Sequence, residues 1–219
     1  MPAMTRGFTL IELAVVLVIL GLLSGMLITP LAARIEAHQR QLTGAMLDDI
    51  VDALTGFALL HGRLPCPSLE ADPASPAYGL EHPPPCDLSA PGYLPWRSLG
   101  VPAVDAWGSA RTAAASPWLG HWRYFPDPAF THAPITLATV PAANIKINDH
   151  LGLLSTSSAP PVAVVWSTGP NHHGDGANAT YSALAPTFHS GEATPAFDDQ
   201  LRWIGHPLFI ARLAQGGRL

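Results

Sequence analysis

From Phe8 to Ala33 the chain is apolar or small except at Thr9, Glu12, Ser24 and Thr29, and no charge falls between Leu13 and Ala33. About 20 apolar residues, rising about 1.5 Å each, cross a hydrocarbon core of about 30 Å, so this run is long enough to span a bilayer as one helix. A cleavable secretory signal has a shorter apolar core, about 7–15 residues, and ends in a small-x-small site. Pro30-Leu31-Ala32-Ala33 fits such a site poorly. The composition agrees: charged residues make up 12% of the 219, against roughly 25% in soluble proteins. Part of this chain is not built for water.

Glu12 is the exception inside the run. An ionised carboxylate near the centre of a membrane helix costs about 2.5–3.5 kcal/mol on insertion scales. It either snorkels to a nearby interface or has a partner. Beyond the run the period changes. Leu31, Ile35, Leu42, Met46, Ile50, Leu54, Phe57 and Leu60 recur at spacings of three, four or seven, with Arg34, Glu36, Arg40, Asp48, Asp49 and Asp52 between them. That spacing predicts an amphipathic continuation of the same helix, stopped by His61-Gly62 and Pro65. The helix is expected to run from about Phe8 to about Leu60, with Pro30 and Gly44 as places for a bend. Four segments follow: a leader at 1–7, a membrane half at 8–33, an amphipathic half at 34–61, and a body at 62–219.

Arg6-Gly7-Phe8-Thr9-Leu10-Ile11-Glu12-Leu13 resembles the signal of type IV prepilins and type II secretion pseudopilins. That signal is a short basic leader ending in Gly, followed by Phe-Thr-Leu-Ile-Glu-Leu at the head of an apolar helix. The resemblance implies that prepilin peptidase cuts after Gly7 and methylates the new amine on Phe8. It also implies that Glu12 is the carboxylate recruited during assembly, paired with the Phe8 amine of a neighbouring subunit in low dielectric. Partners would be other pilins or pseudopilins in a filament, the inner-membrane assembly platform and the membrane itself. The chain would be single-pass in a bacterial inner membrane, with its C-terminal domain periplasmic. Basic residues flank the run on both sides, at Arg6 and at Arg34 and Arg40, so charge alone does not orient it. Presence of Glu12 argues against the tip-capping pseudopilin, which usually lacks it.

The body begins with Pro65, Pro67, Pro73, Pro76 and Pro83 to Pro85, text that forms neither helix nor central strand. Cys66 and Cys86 either pair in an oxidising compartment or stay thiols in a reducing one; the periplasmic placement implied by the resemblance favours a disulfide stapling the Pro-rich loop. Four of the six tryptophans fall between 96 and 122 and are expected to fill a core, the alternative being an aromatic platform for carbohydrate. Trp122 to Phe125, Ile135 to Val140, Val162 to Trp166, Leu201 to Ile204 and Leu208 to Arg212 are strand candidates, while 141–161 and 182–198 read as loops. Asp105-x-Trp107-Gly108 followed by an aromatic strand resembles the lead-in to the major pseudopilin's sheet. The expected fold is α+β: a long N-terminal helix packed on a small antiparallel β-sheet, as in pilins.

Chemistry is sparse. Asn171, Asp175 and Asn178, with backbone carbonyls, offer an oxygen-rich shell suited to Ca²⁺, although the spacing is not an EF-hand and a metal-free turn is the plainer reading. Major pseudopilins bind calcium in a loop at a similar place; their acidic run is missing here. No other cofactor is implied. His172 and His173 with Asp175 would make a transition-metal site only if the backbone turned sharply, and no Gly-x-Ser-x-Gly elbow or phosphate loop occurs outside the apolar run. An enzyme is not expected. The 11 basic residues are scattered singly, which excludes nucleic acid as a partner. A structural subunit of a type IV pilus or type II secretion pseudopilus is expected, ahead of a pilus-tip binding module using the loops 65–91 or 167–198, and far ahead of a tethered metalloenzyme.

Overall fold

The computed structural model describes residues 9–89, 92–109, 111–114, 117–149, 152–156, 159–180, 182 and 185–219, and within the first helix the side chains of 23–30 lie outside the description. Helix α1 runs Leu10–His61, and its helical assignment passes through Pro30 and Gly44 without interruption. The chain divides into two compact units, Met1–Gln41 and Leu42–Leu219. In the first, the described side chains from Leu10 to Leu22 are all exposed, Leu10 at 88% and Leu22 at 70%. Such an uncovered apolar surface is unusual for a soluble monomer. Among the described residues no helix is long and apolar enough to cross a membrane. The expected span 8–33 includes positions whose side chains lie outside the description, so it rests on the sequence.

The second unit is built on the last turns of α1. Thr43, Leu47, Ile50, Leu54, Thr55, Phe57 and Ala58 are buried, one stripe at helical spacing. This corrects the phase expected from sequence: Leu42 and Leu60 are exposed and Met46 only half-buried, while Leu47 is fully buried. A straight α-helix drifts about 20° per heptad, so a stripe drawn back from the membrane run arrives rotated. Gly62 ends the helix at φ +74°, its N–H donating to Ala58 O at 2.8 Å, the left-handed closure that suits glycine.

A four-stranded antiparallel sheet in the order β1-β2-β4-β6 comprises β1 Gly92–Tyr93, β2 Arg123–Pro126, β4 Pro161–Ser167 and β6 Gln200–Gly205. Among the described residues α1 is joined by two shorter α-helices, α2 Trp96–Leu99 and α3 His206–Gln215, and by 3-10 turns at Pro128–Phe130 and Gly176–Asn178. Directly opposed residues share a face, so Tyr124 with Val165 points one way and Phe125 with Val164 the other. The first face packs Tyr124, Ala163, Val165 and Ile204 with Leu47, Ile50 and Leu54 of α1 and Phe209 and Leu213 of α3. The second face packs Phe125, Val164, Trp166 and Leu201 against Ile147 and Phe188. Those two come from β3 Lys146–Asn148 and β5 Thr187–His189, a separate parallel pair. Each fully buried large apolar side chain contributes roughly 1.5–3 kcal/mol, so the sheet is held from both sides.

The α+β expectation stands, with three corrections. Leu208–Arg212, expected as a strand, lies in α3, where Phe209 and Leu213 four residues apart are the buried pair. Residues 135–140 form no strand: Ile135 is buried but Leu137 and Val140 are exposed. Strands β3 and β5 occupy segments expected to be loops. The Pro-rich segment is irregular as expected, and Cys66 and Cys86 are disulfide-bonded.

Candidate functional site

At the head of α1, Thr9 and Glu12 hold each other. The Thr9 N–H and hydroxyl both donate to Glu12 Oε2 at 2.9 Å, and the Glu12 N–H donates to Thr9 Oγ1 at 3.3 Å. This is a capping box, Thr-x-x-Glu, and it satisfies two of the backbone donors that a helix start leaves open. The Thr-x-x-Glu spacing is legible in the sequence but is overshadowed by the apolar run that it opens. Glu12 is exposed and already partnered within its own chain. Gly7 and Phe8, the expected cleavage and methylation positions, lie outside the described residues.

The family profile described as the prokaryotic N-terminal methylation motif matches residues 3–28. The chain carries a prepilin-type signal. That signal covers Gly7, Phe8 and Glu12 together with most of the exposed apolar helix. No curated protein and no solved structure matches the chain, so the prepilin-type signal places the N-terminus in a known class and leaves the body to be read from its own geometry.

In the body, Asp105 organises the Asp-x-Trp-Gly segment. Its buried carboxylate accepts from the N–H groups of Trp107 and Gly108 at 2.9 and 2.8 Å and from Ser167 Oγ at 2.6 Å. Burial raises its pKa against these hydrogen bonds. A Cβ on Gly108 would lie 2.7 Å from Gly120 Cα, so the glycine permits a close backbone crossing. The aromatics fill the core only in part, since Trp107 and Trp118 are half-buried. Trp122 is fully buried and Trp96 nearly so. Trp118 stacks on Tyr93 at 3.9 Å, with Arg111 4.6 Å over Trp118 and Arg123 4.5 Å over Tyr93. A stack capped by cations at both ends offers no free ring face for a sugar.

The loop after β4 holds the three expected calcium ligands, but not as one shell. Asn178 is buried and its amide is spent: Nδ2 donates to His189 O and to Asp199 Oδ2, and Oδ1 accepts from His189 N. Asn171 is exposed and donates to Asp175 Oδ1 at 3.3 Å. Asp175 accepts from Asp198 N at 2.7 Å and donates its own N–H to Asp199 Oδ2 at 2.9 Å. The structure therefore gathers Asp175, Asp198 and Asp199, whose carboxylates can each place an oxygen within 4.8 Å of the others. Asp198 and Asp199 were missed because they stand more than twenty residues along the chain from Asp175; their only sequence signal was the acidic doublet before β6. Asp199 is 3% exposed, and its pKa is pushed up to about 7, first by burial and then by the charges of Asp175 and Asp198. His172 and His173 do not join this cluster: His173 Nδ1 lies 2.6 Å from Asn171 O.

Proposed function

We propose that the chain is a structural pilin-like subunit, a minor pilin or pseudopilin of a type IV pilus or type II secretion pseudopilus. In this reading it is stored in a bacterial inner membrane through residues 8–33, with its body periplasmic, and assembles with other subunits on an inner-membrane platform. The methylation-motif match over residues 3–28 carries the reading, and the uncovered apolar side chains of Leu10 to Leu22 support it. Pairing of Glu12 with the Phe8 amine of a neighbour would displace Thr9 from the carboxylate, a cap worth about 1 kcal/mol, so the capping box is a resting state that assembly exchanges for a stronger charge pair. Co-expression with a prepilin peptidase, followed by intact mass and N-terminal sequencing, tests it. The expected product lacks Met1 to Gly7 and bears one methyl on Phe8, and Gly7→Ala blocks both changes. An uncut N-terminus, or cleavage near Ala33, overturns the reading.

A calcium ion held by Asp175, Asp198 and Asp199 is a second element of the proposal. It is favoured by one observation: Asp199 Oδ1 is buried and makes no hydrogen bond among the described residues. A buried carboxylate oxygen without a donor is costly, and a hard cation is the partner such an oxygen suits.

A further inference from the structure

Opposite the α1 side of the sheet, Arg123 on β2 stands directly across from Trp166 on β4. These two, with Thr168, His172, His173 and Asn178, line a cavity of about 260 Å³ under the turn that follows β4. Its polar character is one-sided. Arg123 is half-buried and makes no salt bridge among the described residues; its guanidinium lies over the Tyr93 ring and hydrogen-bonds the Tyr93 side chain, and its remaining N–H groups meet no carboxylate among those residues. Trp166 is 2% exposed, and its Nε1–H, a donor only, has no hydrogen-bond partner among the described residues. His172 Nδ1, a donor or an acceptor according to the tautomer, is likewise buried and without a hydrogen-bond partner among the described residues. Thr168 adds a hydroxyl.

Among the described residues no carboxylate lines the cavity. Asp105 is occupied by Ser167 and two backbone donors. Asp199 takes the amide of Asn178, and that amide has no polar atom left to offer. A buried donor left without an acceptor, as Trp166 Nε1–H is among the described residues, carries a desolvation penalty. An acceptor with several lone pairs relieves it, and a charged acceptor does so most strongly beside a guanidinium. The turn itself is shaped for this wall: His172 takes φ +59°, a conformation uncommon for residues other than glycine, with Asn, Asp and His the enriched exceptions.

We propose that this cavity binds a small oxyanion, a carboxylate or phosphate group, anchored by Arg123. The volume is below that of drug-sized pockets, about 300–1,000 Å³, and matches a single functional group with its nearest atoms. The shared chemistry has two sources, a free inorganic anion or a carboxylate carried by a peptide, and the proposal holds for either. It is independent of the filament reading, because it uses only side chains of the body.

The test is a titration of the full chain in detergent micelles, labelled with ¹⁵N-tryptophan, following the six indole signals. The Trp166 signal is assigned with Trp166→Phe. Inorganic phosphate, acetate and N-acetylglycine are the probes, with sodium chloride at matched ionic strength as the control. A saturable shift of the Trp166 signal with phosphate or a carboxylate is expected, and Arg123→Gln weakens it about tenfold or more, the loss of one charged hydrogen-bonding partner. His172→Asn keeps the turn, since asparagine tolerates this φ, and serves as a folded second variant with a smaller loss. Tighter binding of phosphate than of the two carboxylates assigns the site to an inorganic anion; the reverse order assigns it to a peptide-borne carboxylate. The proposal is overturned if no probe gives a saturable shift beyond chloride, or if Arg123→Gln binds as the native chain does.

Discussion

Asp199→Asn should flatten the pH dependence of stability. In the folded chain Asp199 has a pKa raised from the ordinary 3.8 to about 7. A carboxyl group raised in this way favours the folded state when protonated, so its contribution is fully present below the unfolded value and is lost as the pH rises through the folded one. Integrating the difference in proton uptake from pH 5 to pH 8.5 gives a loss of roughly 3 kcal/mol. Asparagine is isosteric, and its carbonyl oxygen can still accept from Asn178 Nδ2 and Asp175 N–H, now served by Asp199 Oδ2. The assay is denaturant unfolding of the full chain in micelles with chelator present, followed by tryptophan fluorescence at several pH values for both proteins. Taking the difference between native and variant profiles cancels every other titrating group. The native chain should lose stability relative to the variant as the pH rises. Parallel profiles would show that Asp199 titrates normally and that the burial argument is wrong. Added calcium should restore stability at high pH only in the native chain, by about 2.7 kcal/mol at a hundredfold excess over its dissociation constant; no effect of calcium would remove the cation from the proposal and leave the titration standing.

Two further outcomes follow from the body. Cys66→Ser/Cys86→Ser opens a loop closed across 20 positions and should cost on the order of 3 kcal/mol in the chain-entropy account, read as a lower denaturation midpoint; an unchanged midpoint would mean that the Pro-rich segment is already restrained when unfolded. His121 has its pKa lowered to about 4, by burial first and the Arg111 charge second, so its ring should stay neutral at pH 5 and stability should fall as the pH drops from 6.5 toward 4; an NMR titration of the ring with a midpoint near 6.5 would refute this.

The parts legible in sequence were those written locally. The apolar run, the Gly62 stop and the strands β2, β4 and β6 are continuous signals, and each appears where its residues predict, give or take two positions. The parts missed depend on distant pairing. Strands β3 and β5 are three residues each and meet across about forty residues, so neither carries a period long enough to read. Leu208 to Arg212 reads as a strand because an apolar run of four, Leu208 to Ala211, is ambiguous between periods; Pro207 in the first helical turn is the available signal for α3. At the acidic cluster, Asp175 was visible as a loop carboxylate, but only folding shows that Asp198 and Asp199 stand beside it. Asn178, expected as a ligand, is the side chain that ties this loop to β5 and to Asp199 just before β6.

The buried turns of α1 also have a mechanical meaning. Leu47, Ile50 and Leu54 interdigitate with side chains of the sheet and of α3, while Asp48 and Asp52 bind Arg202 on β6 and Arg212 on α3 at 2.7 and 2.9 Å. The two ion pairs are exposed and add little to equilibrium stability. Force directed along these turns meets the contact differently, as shear. To slip by one turn, about 5.4 Å, the helix would have to lift three fully buried side chains out of their sockets at once and break both ion pairs in the same movement. The joint is weak where it is peeled and strong where it is pulled lengthwise, as a dovetail is.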